Sequence, residues 1–585
     1  MKSDLVTKNW EHKTVRMVKK LVDAEDFAGL RAISQQYIEN AMYRIRFGLH
    51  NGRGIHGATP LEMLHAILLG MFKYMNECFF VQIGKTSQLA DDINALAQKY
   101  GELLHRQSDR DMPKTKFSKG IHKGGKIMAK EYTGVLLIMA TILRSTMGRR
   151  LLSQNKTYFG PTQLRDWTML VETLLEWEAW LKSDRMELEH VEAAKQKHRY
   201  IMYLIKKVGN RVKGMGLKLM KFHGIMHMYM DIIHFGVPME FDTGTNESGH
   251  KRTKKAALLT QKREDTFDQQ VERRRQEVAM LDLAKLEIDG QPLWKYHSRP
   301  FEDGEMEEED EEEFDEPKTG GAAIDCYRDE EGNNVYKYTR KLQHGHKAKL
   351  ERQLIEFMIG LQDAVKDHIP KVPLQTKHTR CGETFRAHTW FRGAIWRDWV
   401  FIDWGDDGGE LPSKISGFVD LSELPEDAGI SYGGVQQLSP GVYAIVESAK
   451  FLKNKRLTDM SDLFLPIRKD HGKLVNGSAV RYKYYLADVE GFVCPTVVIP
   501  DLGGQTNDYF VLKAREDWKE VFTKWLLDGD KGDISDEEDD DDEDTEDVQD
   551  VLGNNWDDAE SEVTDNEEEV TDDEDDDEST DEEED

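Results

Sequence analysis

Four histidines, His223, His227, His234 and His250, fall between Lys221 and Lys255, together with Asp231, Asp242, Glu247 and a basic run. Three kinds of chemistry could use such a set. His223 and His227 are four apart and share one face of a helix, the spacing of paired zinc ligands. The zinc-peptidase pattern requires Glu directly after the first His, and Gly224 stands there instead. Zinc is therefore not expected, and the histidines and methionines of this segment are expected to line a buried helix face. Glu247 follows the turn-forming run Asp242–Asn246 and precedes His250, Lys251, Arg252, Lys254 and Lys255. It could be an acid holding a divalent metal beside a helix that grips phosphates, or the capped, solvent-facing start of that helix. Glu62 and His65 form the third set. Thr59, Pro60 and Glu62 read as a capping box, with Thr59 at N-cap and Glu62 at N3, and His65 is expected to face inward with Leu64 and Leu68.

These residues have to be positioned by the elements around them. Up to about residue 235 the chain reads as helices. Apolar residues recur at three- and four-residue spacing, punctuated by the glycine-rich HNGRGIHGATP, by Gly148 and by Pro161. The basic stretch from Arg106 to Tyr132 reads as an exposed connection. A charged helix carrying Arg273, Arg274 and Arg275 follows the histidine-rich segment. From Thr376 short aromatic and β-branched runs separated by Gly, Pro, Asn and Asp describe a β-rich domain that ends in a helix. The fold class read from this pattern is α+β. The expected domains are a mainly helical 1–300, an acidic disordered linker 301–323, a β-rich 324–530 with flanking helices, and an acidic disordered tail 531–585.

Charge is distributed unevenly. The net charge is −31, yet residues 1–300 hold 49 Lys+Arg against 34 Asp+Glu, a net of +15. Glu302 to Glu316 carries 12 acids and Asp533 to Asp585 carries 33, neither with a base. The basic half favours a polyanion through counterion release. The tail favours basic proteins or the chain's own basic face, and Ser535, Thr545, Ser561, Thr564, Ser579 and Thr580 lie among its acids as phosphorylation candidates. No apolar run approaches the ~20 residues of a membrane span. No secretory signal is expected from the opening MKSDLVTKNWEHK. Four widely spaced cysteines offer no CxxC pair, which argues against a disulfide framework. Trp390, Trp396, Trp399 and Trp404 allow a chromatin or histone reader with an aromatic cage, although tryptophans of a small β domain more often form its core.

Two blocks, HGATPLEMLHAILLGMFKY and KFHGIMHMYMDIIHFGVPMEFDTGTNESGHKRTKK, resemble the conserved blocks of eukaryotic cut-and-paste transposases of the CACTA and Plavaka kind. The matching positions of the second are Lys221, His223, His227, Asp231, Phe235, Gly236, Thr243, Gly244, Glu247, His250, Lys254 and Lys255. The resemblance covers roughly residues 45–260. It implies an RNase H-like core with a helical insertion, an Asp-Asp-Glu triad holding two Mg²⁺ ions, a DNA partner and a nuclear protein. Glu247 takes the place of the final acid. Glu62 stands where the second Asp belongs, as a longer carboxylate. The first Asp should sit on a core strand well upstream, but the 61 residues before Glu62 read as helix. The resemblance therefore implies a derivative that lacks a complete catalytic triad and binds DNA without cutting it. An active Mg²⁺-dependent transposase would need its first acid from elsewhere.

Overall fold

The computed structural model describes residues 15–32, 60–107, 112–122, 127–209, 220–243, most of 253–290, 323–339, 350–380, 383–391, 394–404, 409–452, 463–469 and 483–527. The described part is α+β. Its helices are α1 (Val15–Asp23), α2 (Phe27–Ala32), α3 (Met63–Phe72), α4 (Lys73–Ile83), α5 (Gln88–Gln107), α6 (Tyr132–Arg144), α7 (Thr146–Leu152), α8 (Pro161–Leu181), α9 (Leu188–Val208), α10 (Met220–Ile225), α11 (Met228–Phe235), α12 (Phe267–Ile288), α13 (Arg352–Val365) and α14 (Arg515–Leu527).

The helical body is built around α6. All 13 of its residues are buried, as expected of a helix that is apolar all round. Around it α5 turns in Ala90, Ile93, Ala97, Tyr100 and Leu104, and α8 turns in Trp167, Trp177 and Trp180. Pro161 starts α8, where its missing N–H would have had no helical partner. The stretch expected as an exposed connection instead packs onto this body: Pro113, Thr115, Gly120 and Ile121 are buried. It passes so close to α6 that a Cβ on Gly134 would lie 1.8 Å from the Lys114 carbonyl oxygen. Glycines in α5 and α6 make room for this crossing, an effect invisible to local periodicity.

The strands are β1 (Ala323–Arg328), β2 (Asn334–Tyr338), β3 (Leu374–Gln375), β4 (Lys377–Arg380), β5 (Glu383–Phe391), β6 (Ala394–Arg397), β7 (Trp399–Asp403), β8 (Glu410–Asp420), β9 (Val442–Phe451), β10 (Phe464–Lys469), β11 (Tyr485–Asp488), β12 (Phe492–Pro500) and β13 (Asp508–Leu512). Six of them close on themselves in the order β9, β10, β13, β12, β7, β8 and back to β9, every pairing antiparallel. Closure leaves these six strands no free edge. Trp399, Ala449, Ile467, Val498 and Val511 fill the barrel. Near one end Lys469 Nζ binds Glu447 at 3.1 Å and lies 5.9 and 5.5 Å from the Trp399 and Tyr509 ring centres.

The helical and strand-rich regions, distinct in sequence, share one core. Phe464, Val497, Ile499, Phe510 and Leu512 from the outer face of the barrel, with Trp518, Phe522, Trp525 and Leu526 of α14, join the core of residues 63–232. Hydrogen bonds cross the same boundary. The Gln107 amide donates to the Val498 carbonyl at 2.7 Å and accepts the Val498 N–H at 2.7 Å. Asp501 accepts the N–H and hydroxyl of Thr146. Arg515 reaches the buried Glu178 at 2.5 Å, beside Lys182. A second core lies between α13 and strands of the sheet, around Leu354, Met358, Leu374, Tyr443 and Leu486.

Candidate functional site

The two sequence blocks meet at the start of α3. The Leu61 N–H donates to Asp231 Oδ2 at 2.9 Å across 170 residues. Thr243 Oγ1 donates to Glu62 Oε2 at 3.0 Å across 181 residues and lies 3.4 Å from His65 Nδ1. Gly224 admits the contact: a Cβ there would come within 2.9 Å of Leu61 Cδ1. Behind it Phe222 packs edge-on against Tyr74, with ring centres 5.3 Å apart. Burial pushes the Asp231 carboxyl upward, opposed by the Leu61 N–H and by His234.

Glu62 is itself the N-cap of α3, not the N3 residue of a capping box. Its carboxylate accepts the Leu64 N–H at 2.7 Å and the His65 N–H at 2.6 Å. His65 Nδ1 lies 2.5 Å from Glu62 Oε1. The His65 side chain is 48% exposed, against 15% for Glu62, so it does not face the core with Leu64 and Leu68. The reason lies in the helix. α3 is π-type over its ten residues, and the Lys73 N–H reaches back five residues to the Leu68 carbonyl. The wider turn moves position 65 off the stripe that a 3.6-residue period assigns to it.

The histidine-rich segment also departs from its expected form. It is two short helices, α10 and α11, with a turn at Met226 and His227, not one helix. The i,i+4 argument for His223 and His227 loses its basis. His227 and His234 are exposed, and the buried face consists of Phe222, Ile225, Met228 and Ile232. For His227 and His234 the expected packing against the core does not occur. Lys254 is exposed. The side chains of Lys221 and His223, and residues Glu247, His250, Lys251, Arg252 and Lys255, lie outside the described residues. Among the described residues no group of three or more His, Cys, Asp or Glu is arranged to hold a metal ion.

In the barrel region Trp396 and Trp399 are 8% and 5% exposed, and Trp404 packs against Tyr485. Trp396 and Trp399 are buried and Trp404 is half-buried against the strand core, so these three do not form an open cage. Trp390's side chain lies outside the described residues.

Cations divide into two groups. Arg273, Arg274 and Arg275 of α12 pair with Glu272 and Glu277 on their own helix. Arg149, Arg150 and Arg165, which the sequence reading did not single out, line one cleft and make no ion pair among the described residues. The available signal was the acid-free run from Arg144 to Arg165, which holds five Lys+Arg in 22 residues. Comparison of the chain with protein-family models, curated proteins and solved structures gives no match.

Proposed function

We propose that this chain is a DNA-binding protein built on a transposase-like scaffold, without a complete Asp-Asp-Glu site, and that it works in the nucleus. The observation that carries the reading is the meeting of the two blocks, through Leu61 with Asp231 and Glu62 with Thr243. Positions matched independently along the sequence are joined in one corner, as remnants of a single ancestral site would be. The basic half supplies the affinity, because Lys and Arg displace the counterions condensed on a duplex.

The same corner argues against cutting. Glu62 Oε1 serves the His65 N–H and lies against the His65 ring, while Oε2 serves the Leu64 N–H and Thr243. A Mg²⁺ ion would have to displace these donors, and Mg²⁺ tolerates little departure from octahedral oxygen geometry. The described residues do not form a two-ion site, so no strand-transfer step is assigned. The test is incubation of the full chain with supercoiled DNA and Mg²⁺. The expected outcome is retarded but intact plasmid. Nicking that Glu247→Gln abolishes would replace this reading with an active enzyme.

A further inference from the structure

The cleft of about 490 Å³ between α7 and the first turns of α8 is lined by Thr146, Arg149, Arg150, Ser153, Arg165 and Thr168. Its hydroxyls already donate within the protein: Thr146 to Asp501, Ser153 to the Arg149 carbonyl, Thr168 to the Leu164 carbonyl. The donors left to a ligand are therefore the guanidinium N–H groups. Arg150 and Arg165 are exposed and Arg149 is half-buried. Among the described residues only one of these N–H groups is engaged, Arg150 Nη2 on the Met147 sulfur.

No carboxylate among the described residues forms an ion pair with the cleft arginines, although the charge of Asp501 is felt at Arg149. Glu172 is held by the buried Arg144 through two bonds of 2.5 and 2.6 Å. Asp501 directs one oxygen to the Thr146 N–H and the other to its hydroxyl. Burial lowers the Arg149 pKa and Arg144 adds to this, while Asp501 opposes both; an arginine so placed still stays protonated. The first turn of α8 bears no acidic residue and its N-cap makes no side-chain bond, so the helix end adds positive potential on the same side. Lys156, exposed on the connecting loop, extends the basic surface beyond the cleft.

We propose that this arginine cleft seats a phosphate of the nucleic-acid backbone, with Arg150 and Arg165 as the rim and Arg149 as the floor. The proposal rests on the DNA-binding reading and supplies its contact surface. Planar guanidinium forks fit phosphate oxygens in pairs. The acid-free run on both sides favours an extended polyanion over a single small anion.

The test is fluorescence anisotropy of a labelled duplex with the full chain between 50 and 200 mM salt, comparing Arg149→Gln/Arg150→Gln/Arg165→Gln with Arg273→Gln/Arg274→Gln/Arg275→Gln. Both triples remove the same charge. The cleft triple should lose about tenfold or more in affinity, and its salt dependence should flatten by about 0.9 in log–log slope per lost phosphate contact. The α12 triple, whose arginines already have acidic partners, should change affinity less than about twofold. The exposed single variants Arg150→Gln and Arg165→Gln, each expected to weaken binding and to flatten the slope by part of the ~0.9 that one phosphate contact carries, serve should the triple not fold. In a parallel arm, inorganic phosphate is tested for thermal stabilisation of the same proteins. If wild type binds DNA and the cleft variants match it, the cleft proposal is overturned and the DNA reading stands. If they match it on DNA while phosphate stabilises only wild type, the cleft serves a small phosphate and the proposal is likewise overturned. If wild type does not bind DNA at 50 mM salt, the DNA reading falls and this proposal with it.

Discussion

Both oxygens of Glu62 are committed to neighbours, which makes its role at α3 measurable. Glu62→Ala removes the cap and leaves the Thr243 hydroxyl without its acceptor. Loss of an N-cap costs about 1 kcal/mol, so the urea midpoint should fall by that equivalent while DNA affinity stays within about twofold. Unchanged stability would contradict the capping role. A second residue gives a pH signature. His198 is fully buried, accepts the Trp177 indole N–H at 3.1 Å and has its pKa pushed down by burial to about 3. In the unfolded chain its pKa returns to about 6.5. Between these values the unfolded state binds a proton that the folded state refuses, so stability falls as pH drops from about 6.5 toward 3. His198→Gln keeps an acceptor for Trp177 and should flatten the acid side of a Tm-against-pH curve. An identical curve would show that His198 does not contribute.

At the scale of elements, α14 is the C-terminal link between barrel and helical body. Burial alone would raise the Glu178 carboxyl pKa, but Lys182 and Arg515 outweigh it and hold the value below the usual carboxylate range. Arg515→Met takes one of the two cations from this buried acid, and removing a partner from a buried pair costs about 3 kcal/mol. Lys182 remains, so the loss should be near or below that figure in a denaturant titration; no loss would mean that α14 docks by its apolar residues alone. A fragment ending at residue 300 would lack Phe464, Phe510, Trp518, Phe522 and Trp525 of the shared core. It should show no cooperative thermal transition by circular dichroism, and a sharp one would show that the helical body folds by itself. Helices such as α5 and α8 were legible in sequence because their apolar spacing and the start at Pro161 are local signals. The strand-rich character after Thr376 was legible for the same reason. Barrel closure was not, because it depends on β7 meeting β12 and β10 meeting β13, pairings distant in sequence with no local mark. Nor was the exposure of His65, since a 3.6-residue period cannot anticipate a π-type turn. The link between Thr243 and Glu62 was visible only as two blocks in order, without the contact that joins them.

Across the whole molecule, charge separation dominates. On the DNA-binding reading proposed above, a half with net charge +15 and a terminal run of 33 acids in one chain would set DNA and tail in competition for the same cations. Deleting 533–585 should tighten DNA binding, with the gain shrinking as salt screens the competition. Equal affinity with and without the tail would place its role elsewhere. The account's central claim is that the basic body holds a duplex. Its most direct test is the affinity of the full chain for a labelled duplex measured from 50 to 200 mM salt. The account predicts binding that weakens linearly in log–log form, with a slope of about −0.9 for each phosphate neutralised. Absence of binding at 50 mM salt, or an affinity indifferent to salt, would contradict it.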